Sequence, residues 1–177
     1  MKKKFLMLAA ATCMLAACNN DKTATTDDKM GDEKMSSSAE DKEERNKKTA
    51  LASIEGFKSH DVNTILKDAA PDATDYGDGS RPATKGLDSI RPGLTAWLTA
   101  FPDVKGENLT AVADGDWVMI WGDWSGTWKG DFMGQKSTGK SYKIKDVDIF
   151  KFNDEGKIIE HHNVQSPMPL ASQVGMK

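Results

Sequence analysis

The stretch from residue 116 to residue 165 constrains the fold most, because its apolar residues alternate in three runs separated by glycine-containing turns. Period-two alternation of this kind is typical of β-strands whose two faces meet different surroundings. It predicts strands over residues 117–128, 142–152 and 157–165.

The first of these runs carries four tryptophans, at positions 117, 121, 124 and 128. Both faces of the run are largely apolar, which predicts a central strand that is covered on both sides or packed in a dimer. Trp124 and Trp128, with glycines between them, could floor a pocket for a flat ligand. The alternative is that the four rings form sheet core and a subunit interface.

Helical spacing precedes the strands. Apolar residues recur every three to four positions over residues 50–57 and 90–101, and Asp61 is a candidate N-cap for a short helix before Pro71. Residues 75–79 have the composition of a turn. Helices followed by a run of strands favour the α+β class over a doubly wound sheet.

The first 17 residues predict a secretory signal peptide, with three lysines ahead of a short apolar segment. It ends in Leu15-Ala16-Ala17-Cys18, which resembles a bacterial lipobox. The resemblance implies cleavage before Cys18 and acylation of that residue, so that the protein is anchored to the lipid bilayer of the bacterial envelope. Asn19 is not the aspartate that retains lipoproteins in the inner membrane, which favours the outer membrane. The alternative is an ordinary signal peptide.

Residues 18–45 contain no aromatic or branched apolar side chain after Cys18, which predicts a disordered, charged tether and a single domain over residues 46–177. Removal of the signal peptide takes three of the 24 basic residues and leaves 21 against 27 acidic ones, a formal charge of about −6. This balance argues against nucleic acid as a partner.

Residues 134–141 match the spacing of a phosphate-binding loop, with Gly134 followed by Gly139, Lys140 and Ser141. That loop needs a helix directly after it, because the helix N-terminus binds the phosphates. Here an alternating run follows instead. The sequence therefore predicts no nucleotide binding.

The polar candidates for a site are Asp148, His161 and His162. Asp148 lies between apolar neighbours, where a carboxyl group can act as a general acid or base, or form a structural ion pair. Adjacent histidines on a strand point to opposite faces, so they cannot both bind one metal ion. The other possible metal ligands nearby are only Asp and Glu, with no cysteine, so the sequence predicts no metal site. It also predicts no cofactor.

The order of turns and strands resembles the SnoaL-like polyketide cyclases, within the nuclear-transport-factor-2-like superfamily. The resemblance rests on Gly126-Thr127, Gly130, Thr138-Gly139-Lys140, the run 147–152, the turn 154–157 and Ile158-Ile159-Glu160-His161-His162. It implies a cone-like roll, in which about three N-terminal helices pack on a curved, mixed and mainly antiparallel sheet around one apolar pocket. It also implies a homodimer formed through the outer face of the sheet.

The family's Glu-His-Trp-Asp motif corresponds to Glu160, His161, His162 and Asn163 in this chain. An amide replaces the acid at Asn163, and an amide cannot accept a proton at neutral pH. The resemblance therefore implies that a catalytic base would be Asp148 or His162. A shift of one residue on this strand would exchange the side chains that face the pocket.

Counting by twos groups Asp148 with Phe150 and Glu160 with His162. The resemblance implies that the concave side of the sheet faces the ligand, and we therefore expect Asp148 and His162 in one cavity. The residues expected to line this pocket are Trp97, Phe101, Trp124, Phe150, Glu160, His161 and Asn163. Two functions follow as alternatives. One is acid–base chemistry on a small apolar carbonyl compound, such as an intramolecular aldol closure or an isomerisation. The other is a module that binds such a molecule without turnover.

Overall fold

The computed structural model describes residues 27–164 and 168–177, with side chains in the first helix described from residue 38 onward. These ranges contain four helices and six strands and belong to the α+β class, as predicted. The elements are α1 Asp27–Ser59, α2 Val62–Ile65, β1 Ala69–Gly77, β2 Thr84–Lys85, α3 Leu87–Ala100, β3 Lys105–Asp114, β4 Trp117–Thr127, β5 Ser141–Phe152, β6 Ile158–Asn163 and α4 Met168–Val174.

One six-stranded sheet runs in the order β2-β1-β6-β5-β4-β3. Every neighbouring pair is antiparallel except β1 and β6, which are parallel. Strands β2 to β5 lie between β1 and β6 in the sequence, yet β1 and β6 are neighbours in the middle of the sheet. The predicted mixed, mainly antiparallel sheet with helices packed on it is confirmed.

Alternation along β4 separates a covered face of the sheet from an outer face. Val118 and Ile120 are fully buried on the covered face, where Ala50 and Ile54 of α1 join the same core. On the outer face Trp121 keeps 50% of its surface exposed. No described element of the chain covers this second apolar face, and packing against a second subunit is the other predicted arrangement.

The prediction of a disordered tether is wrong for residues 27–45, because α1 begins at Asp27. Described side chains of this helix contact turns of the sheet. Lys42 forms ion pairs at 2.6 Å with Asp116 in the β3–β4 turn and at 3.0 Å with Asp154 in the β5–β6 turn. Glu43 accepts a hydrogen bond from the amide of Gly115. Composition indicated disorder because this segment has few apolar groups, but its Glu, Lys and Ala residues also favour a helix. Residues 18–26 lie outside the described part.

Residues 134–141 form a loop whose end is tied into the sheet. The amide of Gly139 donates to the carbonyl of Trp128, and the Thr138 hydroxyl donates at 2.6 Å to the carbonyl of Val174 in α4. The strand β5 follows the loop, as the alternation predicts. Helix α4 was not predicted, since it has only seven residues. Across the described ranges, none of the helices has both the length and the apolarity needed to cross a membrane.

Candidate functional site

A β-bulge determines which side chains of β6 face the covered side of the sheet. Ile158 pairs with Phe152, but the next pairing joins Glu160 to Lys151, so Ile159 is an extra residue in the ladder. Because side chains alternate with period two, one extra residue reverses the orientation of every later side chain.

The reversal corrects the predicted pocket. His161 pairs with Phe150 and Asn163 pairs with Asp148, so these residues share the covered face. Glu160 and His162 lie on the outer face, where they are paired with Lys151 and Ile149. The prediction that Asp148 and His162 face one cavity is wrong, and so is the placement of Glu160 in the pocket.

Three side chains from neighbouring strands form a row across the covered face, which we call the Asp75–His161–Asp148 row. The Nδ1 atom of His161 lies 2.9 Å from Oδ1 of Asp75 on β1, and its Nε2 atom lies 3.2 Å from Oδ1 of Asp148 on β5. The amide of Gly77 donates to Asp75, and Nδ2 of Asn163 donates to Asp148 Oδ1 at 2.8 Å. The row therefore joins three strands through side chains.

Both ring nitrogens of His161 face a carboxylate oxygen, so both must carry a proton to make these contacts. Burial by itself lowers the pKa of His161, but the hydrogen bonds to Asp148 and Asp75 outweigh burial and raise it to about 10. Burial is the largest single influence on Asp75 and acts to raise its pKa, but the hydrogen bond and the charge of His161, together with the hydrogen bond from the Gly77 amide, outweigh it, so that this pKa lies below its ordinary value. At neutral pH the row is an imidazolium between two carboxylates.

Asp148 is the buried end of the row, since its side chain is only 7% exposed. Its Oδ1 atom accepts from His161 and Asn163, while its buried Oδ2 atom has no hydrogen-bond partner within the described ranges. A buried carboxylate oxygen without a donor is energetically costly unless a ligand or water supplies one. Oδ2 is therefore a buried atom of the row with free capacity to bind.

Asn163 is the residue that the resemblance matches to an aspartate, and Asp148 is its direct partner on the neighbouring strand. The two side chains are hydrogen-bonded, with Nδ2 of Asn163 2.8 Å from Oδ1 of Asp148. A carboxylate is therefore present beside this amide on the covered face.

The predicted aromatic residues belong to the same side of the sheet. Trp97 and Phe101 of the α3 region are in ring contact at 4.3 Å, and Phe132 packs against both. Trp124 meets the edge of Phe57 at 5.3 Å. The indole nitrogens of Trp124 and of fully covered Trp128 have no hydrogen-bond acceptor in the described part of the chain.

His162 belongs instead to an outer-face cluster. Its ring stacks on Tyr76 at 4.5 Å and lies 6.1 Å from the ring of Trp117. Its Nε2 atom is 3.4 Å from Glu160, which also pairs with Lys151 at 2.9 Å. The charged groups here satisfy one another.

A separate depression of about 260 Å³ lies beyond the row, toward the far ends of β4 and β5. It is lined by Asp103, Lys105, Ser125, Gly126, Thr127, Ser141 and Tyr142. Among residues 27–164 and 168–177, no group of three or more histidine, cysteine or acidic side chains has an arrangement that could hold a metal ion.

Sequence reasoning missed Asp75, because Asp75-Tyr76-Gly77-Asp78 has the composition of a turn. The structure continues β1 through Gly77, and the parallel pairing with β6 brings Asp75 opposite His161. Parallel pairing between the first and last strands of a chain leaves no local signal, so nothing in the sequence pointed to this contact.

Solved structures with this fold come from several bacteria. AclR from Streptomyces galilaeus matches with 26% identity and a TM-score of 0.64 over 75% of this chain and 85% of that chain. IdmH from Streptomyces antibioticus matches with 25% identity and a TM-score of 0.61 over 73% and 98%. TsrD from Streptomyces laurentii matches with 19% identity and a TM-score of 0.63 over 73% and 94%. No curated protein matches the sequence.

The sequence profile of the SnoaL-like polyketide cyclases matches residues 47–174, which is most of the chain. The matched region includes the sheet, α3 and all three members of the Asp75–His161–Asp148 row. This protein belongs to the SnoaL-like polyketide cyclase family.

Proposed function

We propose that the domain binds a small apolar molecule against the covered face of the sheet, and that this molecule presents a hydrogen-bond donor or an acidic C–H group to Asp148 Oδ2. The observation that carries the proposal is the unpartnered, buried Oδ2 atom. Apolar and aromatic side chains on the same face, including Phe150 and Trp124, favour an apolar ligand with few polar groups.

The enzymatic form of this proposal is acid–base chemistry with Asp148 as the base. Asp148 Oδ2 takes a proton from the carbon next to a carbonyl group, and the resulting enolate carbon attacks a second carbonyl of the same molecule. The oxygen of that carbonyl then receives the proton, so the closure is neutral in atoms and electrons. Membership in the family supports this form, as does the likeness to IdmH, a proposed polyketide cyclase.

The second candidate is a binding module without turnover. It is favoured by the contacts of His161, whose two nitrogens are both engaged by carboxylates. Before turnover the row thus offers a base but no free proton donor, and a developing alkoxide could be protonated only by the proton that Asp148 has just taken. AclR, a proposed hydroxylase, also shows that chemistry differs among structural neighbours.

Ligand capture tests the shared part of the proposal. The full chain with Cys18→Ser is purified, and small molecules that copurify with it are identified by mass spectrometry after organic extraction. Asp148→Asn should lose the captured molecule, while Glu160→Gln, on the outer face, should retain it. Equal retention by both variants would contradict the proposal.

Deuterium uptake separates the two candidates. The captured molecule is incubated with protein in D₂O, and its mass is followed. Proton abstraction by Asp148 exchanges the carbon-bound hydrogen and raises the mass, and Asp148→Asn should abolish this exchange. Retention of the ligand without exchange would favour the binding module.

Thermal stability alone does not separate catalytic from structural roles for Asp148. Its ion pair with His161 means that Asp148→Asn leaves a half-buried partner incompletely satisfied in either case. A loss of about 1–3 kcal/mol is expected for such a change.

We further propose that Cys18 carries the lipid anchor and places the domain in the bacterial envelope, at the outer membrane. The lipobox-like sequence and the apolar segment before it support this proposal, and both lie outside the described residues. Cys18→Ser should release the protein from the membrane fraction of cells that produce it. Unchanged membrane association would contradict the anchor.

A further inference from the structure

We propose that Asp75 is a positioning residue for Asp148: acting through His161, it holds the imidazolium in place and so fixes the buried carboxylate with Oδ2 free. This inference rests on the proposed role of Asp148. It goes further by assigning a function to a residue on a different strand, 73 positions away in the sequence.

The geometry of the His161 ring ties its charge to Asp75. His161 can hydrogen-bond to two carboxylates at once only with protons on both nitrogens. A neutral ring would turn a lone pair toward one of the carboxylate oxygens, and the two would repel. Asp75 therefore determines both the charge of His161 and the direction of its Nε2–H bond.

Side-chain exposure falls along the row from Asp75 to Asp148. The side chain of Asp75 is 37% exposed, that of His161 is 27% exposed, and that of Asp148 is 7% exposed. Isolating a carboxylate from water is costly unless a positive charge compensates it. His161 supplies this charge to Asp148, while Asp75 lies at the accessible end and keeps His161 charged.

Asp75 itself is held by the backbone of its own strand. The amide of Gly77 donates to Asp75 Oδ1 at 3.0 Å, across the irregularity that lies between these two residues in the β1–β6 ladder. Gly77 has a φ of +52°, a conformation that glycine adopts readily. The backbone thus places the Asp75 carboxylate at His161 Nδ1 independently of Asp148.

The groups acting on the charge of His161 come from both neighbouring strands. They are Asp75 on β1 and Asp148 on β5, while His162, on the outer face, acts weakly on Asp75. Removal of Asp75 leaves His161 with one carboxylate. A neutral ring with its proton on Nε2 can still donate a hydrogen bond to Asp148, and one of the two carboxylates that favour the charged ring is gone, so the ring should lose its second proton at a lower pH.

Nuclear magnetic resonance of the histidine rings tests this directly. Long-range ¹H–¹⁵N correlations distinguish doubly protonated from neutral imidazole, and His60, His161 and His162 are assigned by single replacements with Gln. In the full chain carrying Cys18→Ser, His161 should remain doubly protonated at pH 8. In Asp75→Asn its titration should move down by about 1–3 pH units, the usual effect of losing a close opposite charge.

Two variants make the result specific. Asp75→Glu retains a carboxylate. If this carboxylate reaches Nδ1 of His161, the titration of His161 should stay close to that of the parent protein. Glu160→Gln removes the carboxylate beside the other histidine and should leave His161 unchanged. A neutral His161 at pH 7 in the parent protein, or an unchanged titration in Asp75→Asn, would overturn the proposal.

The ligand experiment then links the row to function. Ligand capture or deuterium exchange should decline as the pH rises, and in Asp75→Asn this decline should occur at a lower pH than in the parent. The difference in pH should equal the shift in the titration of His161. If Asp148→Asn has no effect on ligand capture while His161 still shifts in Asp75→Asn, the proposed function fails and the positioning of His161 stands. If the ring shifts but the pH profile of ligand capture does not, Asp75 has no positioning role for Asp148.

Discussion

At the scale of single residues, the site is defined by an amide and a carboxylate on neighbouring strands. Asn163 on β6 pairs with Asp148 on β5, which provides a carboxylate directly opposite. His161 lies beside both and links them to Asp75. The local chemistry is thus that of an ion-paired carboxylate with one free oxygen, rather than an isolated acid in an apolar pocket.

The ion pairs of His161 predict a specific pH dependence of stability. The pKa of His161 is raised to about 10 in the folded protein, above its ordinary value of about 6.5. Its contribution is therefore fully present below about pH 6.5 and is lost as the pH rises toward 10. Asp75 has a lowered pKa, so its contribution is present above about pH 3.9 and is lost as the pH falls through its lowered value.

Urea unfolding between pH 6 and pH 9 measures the first of these effects. The parent protein should lose stability over this interval, and His161→Gln should show a flatter dependence. His162→Gln should keep the parental decline, because His162 lies on the outer face. Parallel curves for the parent and His161→Gln would show that His161 is not charged by its neighbours.

At the scale of elements, α1 is part of the domain well before residue 46. Lys42 contacts two turns at once, and Arg45 donates to the carbonyl of Asp154. A chain that begins at residue 38 keeps these contacts, whereas one that begins at residue 46 loses them. The shorter chain should therefore melt at a lower temperature by differential scanning calorimetry, and equal melting temperatures would show that the contacts do not stabilise the fold.

Two glycines near α3 predict opposite effects of the same substitution. A Cβ atom at Gly130 would lie 2.6 Å from the carbonyl oxygen of Thr99, which belongs to rigid helix backbone. Gly130→Ala should cost about 1–3 kcal/mol. Gly93 is inside α3 with open space around it, so Gly93→Ala should stabilise by up to about 1 kcal/mol through helix propensity. Chemical denaturation of both variants measures the difference, and a cost at Gly93 would contradict it.

At the scale of the whole molecule, the outer face of the sheet predicts self-association. Val112, Trp117, Met119 and Trp121 keep between 37% and 51% of their surfaces exposed on this face. Lys145 and Lys151 lie 4.9 Å from the rings of Trp121 and Trp117, and both lysines are already ion-paired. A second copy would bury the apolar area without stranding a charge.

Sedimentation velocity tests this dimer, which stays a prediction. The parent chain with Cys18→Ser should sediment as a dimer at micromolar concentration, and Trp121→Glu should convert it to a monomer by placing a charge in the contact. Met133→Glu changes an equally exposed apolar residue in a loop and should leave the dimer intact. A monomeric parent would contradict the prediction.

The sequence alone determined the class of the fold, the run of strands and the family, because these depend on local periodicity and on the order of turns. Residues 134–141 are another case in which local periodicity sufficed. The alternation after Ser141 was enough to predict that a strand and not a helix follows. Asp148 was also found, because a single acid among alternating apolar residues is a local signal.

Only the tertiary structure decided which side chains meet. The extra residue Ile159 reverses the orientation of His161 and His162, and a bulge is set by hydrogen bonds to the neighbouring strand rather than by the strand's own composition. Asp75 reaches His161 through parallel pairing of β1 with β6, which lie far apart in the chain. Lys42 joins the fold because two distant turns bring Asp116 and Asp154 together. Each of these contacts depends on long-range strand pairing, and no short window of sequence contains it.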